Sequence, residues 1–385
     1  MSLARTPAVA SDPREREAVI ALGCTPLLSP AGKRRLRDFF GGAAALLAAS
    51  PEEISQVEGM TTDRARELLS RMQTVDPAAE MDRVARHGSR ILCDTDPEYP
   101  DQLRLLADAP LFIQVSGTLD PGDALAVAVV GTRRPTAYGN MAAEHLVRGF
   151  RPYGLTTVSG LAAGIDTVVH RTSLDNGMRT IAVLGTGLGH HFPPANRRLQ
   201  EELIPRNGAV ISEYPFRAEA TRYTFPQRNR IIAALALGTV VVEADIRSGA
   251  IITAKCALDL GRDVFAIPGS IFSRQSRGTN ALIANGAHPV TGAEDVVGEL
   301  APLAAYVGKR HTVVPPAPPV PLTRRQQDVL DQVRSDPAGM HVDRLQERTG
   351  IPVPELMQLL CELEIAGRVR SLPGKMYLSE DERGI

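Results

Sequence analysis

The 385-residue chain has no tryptophan, and aromatic residues make up only 4% of it. Any surface that works by stacking rings must therefore draw on few of them. Its four cysteines, Cys24, Cys93, Cys256 and Cys361, lie dozens of residues apart. That spacing excludes a zinc knuckle or a disulfide framework and predicts reduced, buried thiols. No apolar run approaches the roughly 20 residues of a membrane-crossing helix. The opening MSLARTPAVASDPREREAV turns charged before the apolar core of a secretion signal can form. A soluble, cytoplasmic chain with no membrane contact is expected. Net charge is small too, 43 basic against 44 acidic residues, so composition alone does not announce a binder of polyanions.

What is present is ordinary globular material, with 43% hydrophobic and 23% charged residues. At roughly 150 residues per domain, the length implies two or three domains. Arginine outnumbers lysine by 39 to 4. The planar arginine fork suits phosphate because it donates two parallel hydrogen bonds. A codon bias gives the same skew, so the case rests on where particular arginines sit. Gly32-Lys33-Arg34, Gly308-Lys309-Arg310 and Gly374-Lys375-Met376 all lack the Ser or Thr of a Walker loop, which argues against ATP hydrolysis by that route. GTGLGH (185–190) lacks the G-x-G-x-x-G spacing of a dinucleotide site, although Glu213 could mimic its ribose-binding acid. His190-His191 has no carboxylate or cysteine at ligand spacing. No cofactor and no metal are expected.

The segment 309–322, KRHTVVPPAPPVPL, contains five prolines and reads as a stiff linker. Before it, short apolar runs at 125–130, 155–159, 180–184, 209–212, 239–243 and 263–267 alternate with amphipathic segments such as 138–150, 163–176 and 250–261. That rhythm predicts a doubly wound, mostly parallel α/β sheet, because parallel neighbours need crossovers. Several runs end in Gly or Ser turns, which gather on the carboxyl edge where such sheets bind ligands. There the backbone approaches a ligand closely and helix N-termini offer free N–H groups.

Three of these turns carry arginine. VVGTRRPTAYG (129–139) places Gly131, Arg133 and Arg134 before a helix. FPQRNRIIAAL (225–235) places Arg228, Asn229 and Arg230 before another. EADIRSGAIITA (243–254) sets Arg247, Ser248 and Gly249 at a third helix start, with Thr253 one turn inside. Singly, each arginine could be a capping or solvated side chain; together on one edge they predict an anion site. In GLAAGIDTVVH (160–170), Asp166 and His170 share a helical face at i and i+4. They fit an acid–base pair, or a pair that orients the helix and its turn by hydrogen bonding.

The segments VVGTRRPTAYG, VSGLAAGIDTVVH, TIAVLGTGLGHHFPPANRRL, SEYPF, FPQRNRIIAAL, VVEADIRSGAIITAKCALDLGRDVFAIPGS and SRGTNALIANGAHPV follow one another over about 129–290. In that order they resemble the DNA-processing protein A (DprA, or Smf) family, and YPDQLRLLADAPLFIQVSG (99–117) fits as a lead-in. The resemblance implies an extended Rossmann-like domain that binds single-stranded DNA through phosphates in a basic pocket and helps load a RecA-type recombinase during natural transformation. Carried across by motif, Arg133 and Arg247 line that pocket, and Gly160, Ser248 and Gly249 let the backbone approach closely. Ser159, beside Gly160, belongs to the same turn. Arg228 and Arg230 contribute, although i and i+2 positions on a helix diverge. The family's habit of pairing implies a homodimer through this domain, with NALIANGAHPV (280–290) as part of the surface, and a single-strand-binding protein as a further partner. Tyr138, Phe192, Tyr214 and Phe225 are candidate base platforms. No residue is assigned a catalytic role; the alternative is a phosphoribohydrolase-like enzyme on the same fold, with Glu213 or Glu243 as its acid.

The flanks read differently. In SPEEISQVEGMTTDRARELLSRM (50–72), Ile54, Val57 and Leu68 surround a Gly59-Met60 turn like half of a helix-hairpin-helix, with Thr61 where a second glycine is usual. A sterile-alpha-motif-like packing bundle fits as well. After the linker, the order helix, helix, Gly350 turn, helix and two-stranded wing describes a winged helix. Residues 321–385 carry nine basic and eleven acidic side chains, and the third helix holds Glu355, Glu362 and Glu364. An acidic third helix argues against groove binding and for a regulatory or protein-contacting role. The expected domains are 1–80 (helical), 81–308 (Rossmann-like), 309–322 (linker) and 323–385 (winged helix).

Overall fold

The computed structural model describes residues 12–300, 322–336, 339–365, 368–372 and 374–379. They fall into two units, one on each side of the expected linker, which lies up to Pro321 outside the described residues. The opening residues used to argue against a secretion signal lie outside them as far as Ser11.

The first unit opens with helices that begin where the sequence supplies caps. These are α1 (Pro13–Cys24), α2 (Pro30–Phe39), α3 (Ala43–Ala48), α4 (Pro51–Ile54), α5 (Thr62–Thr74) and α6 (Pro77–Arg86). Asp12, Ser29, Ser50, Thr61 and Asp76 each accept a first-turn N–H, and proline follows four of them. The start of α3 has no cap of its own; Glu15 accepts the N–H groups of Ala43 and Ala44 at 2.8 Å. Gly59, at φ +83°, makes the turn between α4 and α5.

The apolar faces of these helices share one core with the sheet edge, in which Ile20, Leu36, Leu46, Leu68 and Met72 pack with Ile91, Leu111 and Phe112. The expected boundary at residue 80 therefore falls inside α6. Glu80 is buried there and accepts from Gln114 Nε2 at 2.8 Å and from the Phe216 N–H at 2.6 Å.

The strands are β1 (Ser89–Cys93), β2 (Phe112–Gly117), β3 (Ala126–Val130), β4 (Thr156–Ser159), β5 (Thr180–Val183), β6 (Ala209–Ser212), β7 (Gly238–Val241), β8 (Asp263–Ala266) and β9 (His288–Pro289). They form one sheet in the order β1-β2-β6-β5-β4-β3-β7-β8-β9. From β6 to β9 every pairing is parallel, whereas β1 and β2 add an antiparallel edge. Helices cover both faces. Ala126, Ala128 and Val130 of β3 point into a core with α11 (Thr224–Leu235) and α12 (Gly249–Asp259). Val127 and Val129 point the other way, towards α8 (Ala137–Gly149) and α9 (Ile165–Asp175). The chain runs from β3 through β4 and β5 to β6, then returns past β3 to β7. That reversal opens a crevice beyond the carboxyl ends of β3 and β7.

The second unit has its own core, built on Val329, Leu330, Leu345, Leu356, Leu360 and Tyr377. Its helices are α15 (Arg324–Arg334), α16 (Val342–Thr349) and α17 (Val353–Ile365), after α10 (Arg197–Leu203), α13 (Arg277–Ala284) and α14 (Ala293–Glu299) of the first unit and the short α7 (Asp101–Arg104) near β1. The expected two-stranded wing, β11 (Val369–Leu372) and β12 (Met376–Ser379), gains a third strand, β10 (Met340–His341), beside β12. The glutamates of α17 are tied within the unit. Glu355 pairs with Arg325, Glu362 accepts from Gln326 Nε2 at 2.9 Å, and Glu364 accepts from the Ser371 N–H at 2.9 Å.

The thiols are less uniformly buried than the sequence predicts. Cys93 is buried, but Cys24 and Cys256 are half-buried and Cys361 is exposed. Lys33 donates to the Gly23 carbonyl at 2.6 Å beside Glu213, and burial pushes its pKa down to about 8. A lowered lysine pKa means that the unfolded chain binds more protons than the folded one between pH 8 and the ordinary lysine value. Stability is therefore expected to rise with pH across that window. Urea unfolding should show the rise in the native chain and lose it in Lys33→Met.

Candidate nucleic-acid interface

The crevice at the strand-order reversal is a cleft of about 600 Å³. Its floor and walls come from the three arginine-bearing turns. After β3, the Thr132 N–H donates to the Glu243 carbonyl at 2.7 Å, and the Thr132 carbonyl accepts the Ile165 N–H at 3.1 Å. These bonds hold the turn so that Gly131 and Arg133 face the cleft. Glu243 is buried and accepts from both the N–H (2.9 Å) and the hydroxyl (2.6 Å) of Thr136, the cap of α8. After β7, Ser248 caps α12 by accepting the Ala250 N–H at 3.3 Å, and Arg247, Ser248, Gly249 and Thr253 line the opposite wall. A Cβ added at Gly249 would meet nothing within 4 Å beyond its chain neighbours and the backbone of α12, so the space beside this glycine is open.

Arg228 and Asn229, from the first turns of α11, form the back. Arg228 is almost fully buried. It donates to the Gly160 carbonyl at 2.8 Å and to the Val183 carbonyl, and its charge faces Asp166. Burial lowers its pKa to about 10, which leaves it a cation. Asp166 in turn accepts the N–H groups of Gly160 (3.1 Å) and Ala162 (3.3 Å), while burial raises its pKa. The Arg228 charge therefore acts on Asp166 inside the protein, opposing the rise that burial imposes on that carboxyl.

Arg133 and Arg247 are the contrast. Both are exposed, and among the described residues neither has a carboxylate at ion-pair distance. The Arg133 guanidinium lies 5.1 Å from the centre of the Phe225 ring. Phe192, 40% exposed, leans on Phe225 at 5.1 Å. Of the other ring candidates, Tyr138 donates its hydroxyl to the Pro268 carbonyl at 2.7 Å and Tyr214 to the Thr224 carbonyl at 3.0 Å.

The family model described as DNA recombination-mediator protein A matches residues 90–301, more than half of the chain, and a model of its winged-helix domain matches residues 313–375. The chain belongs to the DNA recombination-mediator protein A family. Among the family's curated members, Protein Smf of Escherichia coli is 36% identical over 333 residues, covering 83% of this chain and 85% of that protein. DNA processing protein DprA of Streptococcus pneumoniae is 46% identical over 204 residues, 53% of this chain and 72% of that one. The X-ray structure of the Streptococcus pneumoniae DNA processing protein A superposes with a TM-score of 0.64 at 34% identity, covering 74% of this chain and 98% of that one. Membership carries with it a role in DNA processing and recombination.

Several residues expected at the family's pocket lie elsewhere. Arg230 points away from the cleft, because Glu213 (2.7 Å) and Asp108 (2.8 Å) take its guanidinium. Ser159 is buried and donates to the Val129 carbonyl at 2.7 Å. Gly160 does allow a close approach, but by the protein itself: a Cβ there would stand 2.6 Å from Arg228 and 2.7 Å from Asp166. Arg134 is exposed outside the cleft lining and fastens the neighbouring loop, its carbonyl accepting from Gln275 at 3.0 Å.

Asp166 and His170 do not bond to each other. His170 meets Thr180 Oγ1 at 2.8 Å, and burial lowers its pKa to about 3, so it stays neutral. The glycines of 185–189 serve packing against Phe225, Pro215 and Phe216. Sequence reasoning missed Arg222, Asp245 and Arg274 at the rim of the cleft; Arg274 is spent on Asp245 at 2.7 Å. No local pattern distinguishes them from ordinary loop charges.

Proposed function

We propose that the cleft grips the phosphates of a single DNA strand and that the chain acts by holding that strand, without breaking a bond. In this reading it shields incoming single-stranded DNA and helps load a RecA-type recombinase in natural transformation. The observation that carries it is the pair Arg133 and Arg247. They reach one cleft from two strand ends with no carboxylate on either, beside the start of α12. A phosphate between them gains charge-assisted hydrogen bonds with no sequence preference.

Modest contacts of this kind hold a strand best when several copies act together, which is the use of a homodimer and of a single-strand-binding protein nearby. In the segment expected at the dimer surface, Leu282 and Ala287 pack partly against the sheet core, which leaves Ile283 and Ala284 for a partner. Against the hydrolase alternative stands the engagement of both candidate acids, Glu243 by Thr136 and Glu213 by Arg230.

Titrating an oligo-dT strand and a duplex at rising salt tests the reading. Tighter binding of the single strand, weakening as salt rises, is expected; preference for the duplex refutes it. The second unit, with its third-helix glutamates tied internally, fits protein contact or regulation. A chain ending at Lys309 should keep its full affinity for oligo-dT in a fluorescence anisotropy titration. A large loss would transfer the DNA role to the winged helix.

A further inference from the structure

Next to the cleft, two loops carry large apolar side chains that nothing covers. Phe272 is 90% exposed, Ile271 77% and Ile246 60%. Isolated exposed hydrophobics are ordinary, but these three sit on loops fastened to each other. Arg274 pairs with Asp245 at 2.7 Å, and the Ala244 N–H donates to the Gln275 carbonyl at 2.7 Å. The tip itself is a fixed turn: Ser270 Oγ accepts the Phe272 N–H at 3.2 Å and the Ser270 carbonyl accepts the Ser273 N–H at 3.0 Å. Phe272 is two residues from Arg274, which lines the cleft, and so within about 7 Å of its rim along the backbone. Ile246 adjoins Arg247.

We propose that Phe272, with Ile271 and Ile246 around it, is a stacking platform for the bases of a strand whose phosphates lie in the cleft. This rests on the reading given above and adds what that reading lacks, a reason to prefer unpaired bases. A phosphate grip alone does not distinguish one strand from two, whereas a ring face can meet a base only when the base is unpaired. The setting suits a nucleic acid, because Arg247, next to Ile246, lines the cleft, and Arg277, five residues after Phe272, is exposed. The size suits a base as well. Three side chains fall far short of the roughly 800 Å² per partner that a stable protein interface buries, whereas one base covers one phenylalanine ring.

The test compares the full chain with its Phe272→Ala and Phe272→Trp variants on oligo-dT and on an abasic strand of equal length, which keeps the phosphates and lacks the bases. Phe272→Ala is expected to lose about 5- to 150-fold in affinity for oligo-dT and nothing for the abasic strand. Phe272→Trp creates the chain's single tryptophan. Its emission should be quenched by oligo-dT and not by the abasic strand, with affinity retained. Unchanged oligo-dT affinity in Phe272→Ala together with no quenching overturns the platform. Equal losses on both strands, accompanied by a change in sedimentation, overturn it too and make the tip a contact between copies. Failure of the cleft itself shows separately, as Arg133→Ala and Arg247→Ala variants that bind both strands like the native chain.

Discussion

Replacing Arg133 and Arg247 together by alanine is expected to weaken oligo-dT binding by about 100-fold at moderate salt, and either replacement alone by about tenfold. A hydrogen bond to a charged group contributes on the order of 1.5–3 kcal/mol. The lower end of that range suits side chains as exposed as these. The salt dependence is the sharper reading. Each phosphate neutralised on a single strand contributes about 0.7 to the slope of log affinity against log salt. The double variant should therefore show a slope shallower by about 1.4, and each single variant about half of that. Arg134→Ala is the internal control, because Arg134 lies outside the cleft lining. Fluorescence anisotropy over a salt series compares the four variants with the native chain, and a slope unchanged in the double variant would place the strand elsewhere.

Arg228→Met should fail in a different way, by unfolding at lower urea. Its guanidinium is inside the protein, satisfied by two carbonyls and opposed by Asp166. Removing it leaves a buried carboxylate without a counter-charge, a loss of about 3–5 kcal/mol in domains whose whole stability is typically about 5–15 kcal/mol. Adding Asp166→Asn should recover part of that loss, because the stranded charge is then gone. The penalty should also shrink at low pH, where Asp166 takes up a proton and carries no charge to strand. Were Arg228 a ligand-facing cation like Arg133, Arg228→Met would keep its stability and lose only affinity.

Six of the seven parallel strands are legible as short apolar runs, several of them closed by a Gly or Ser turn; the two-residue β9 (His288–Pro289) is not. The 209–212 run is β6 to the residue, and the other runs differ by one or two. β1 and β2 escape this reading. They stand outside the βα rhythm, and their place is fixed by long-range pairing such as Ile113 with Leu92 and Val115 with Ile211.

At the site, Arg133 and Arg247 are readable because a strand-to-helix turn fixes where they must be. Arg228 and Arg230 are not. Their spacing says only that they diverge; which one meets the cleft depends on Asp108, 122 residues away, and on Glu213. Glu243 looks like a free acid in the sequence and proves to hold the cap of α8, because its partner Thr136 lies 107 residues earlier. Local pattern thus gives the edge of the sheet, and tertiary pairing decides which charges remain available there.

The most direct measurement is a crystal structure of the full chain with a short oligo-dT strand. A backbone phosphate should lie between the guanidinium groups of Arg133 and Arg247, within hydrogen-bond reach of both and close to Gly249 at the start of α12. A strand bound on another face, with the cleft filled only by solvent, would contradict the account.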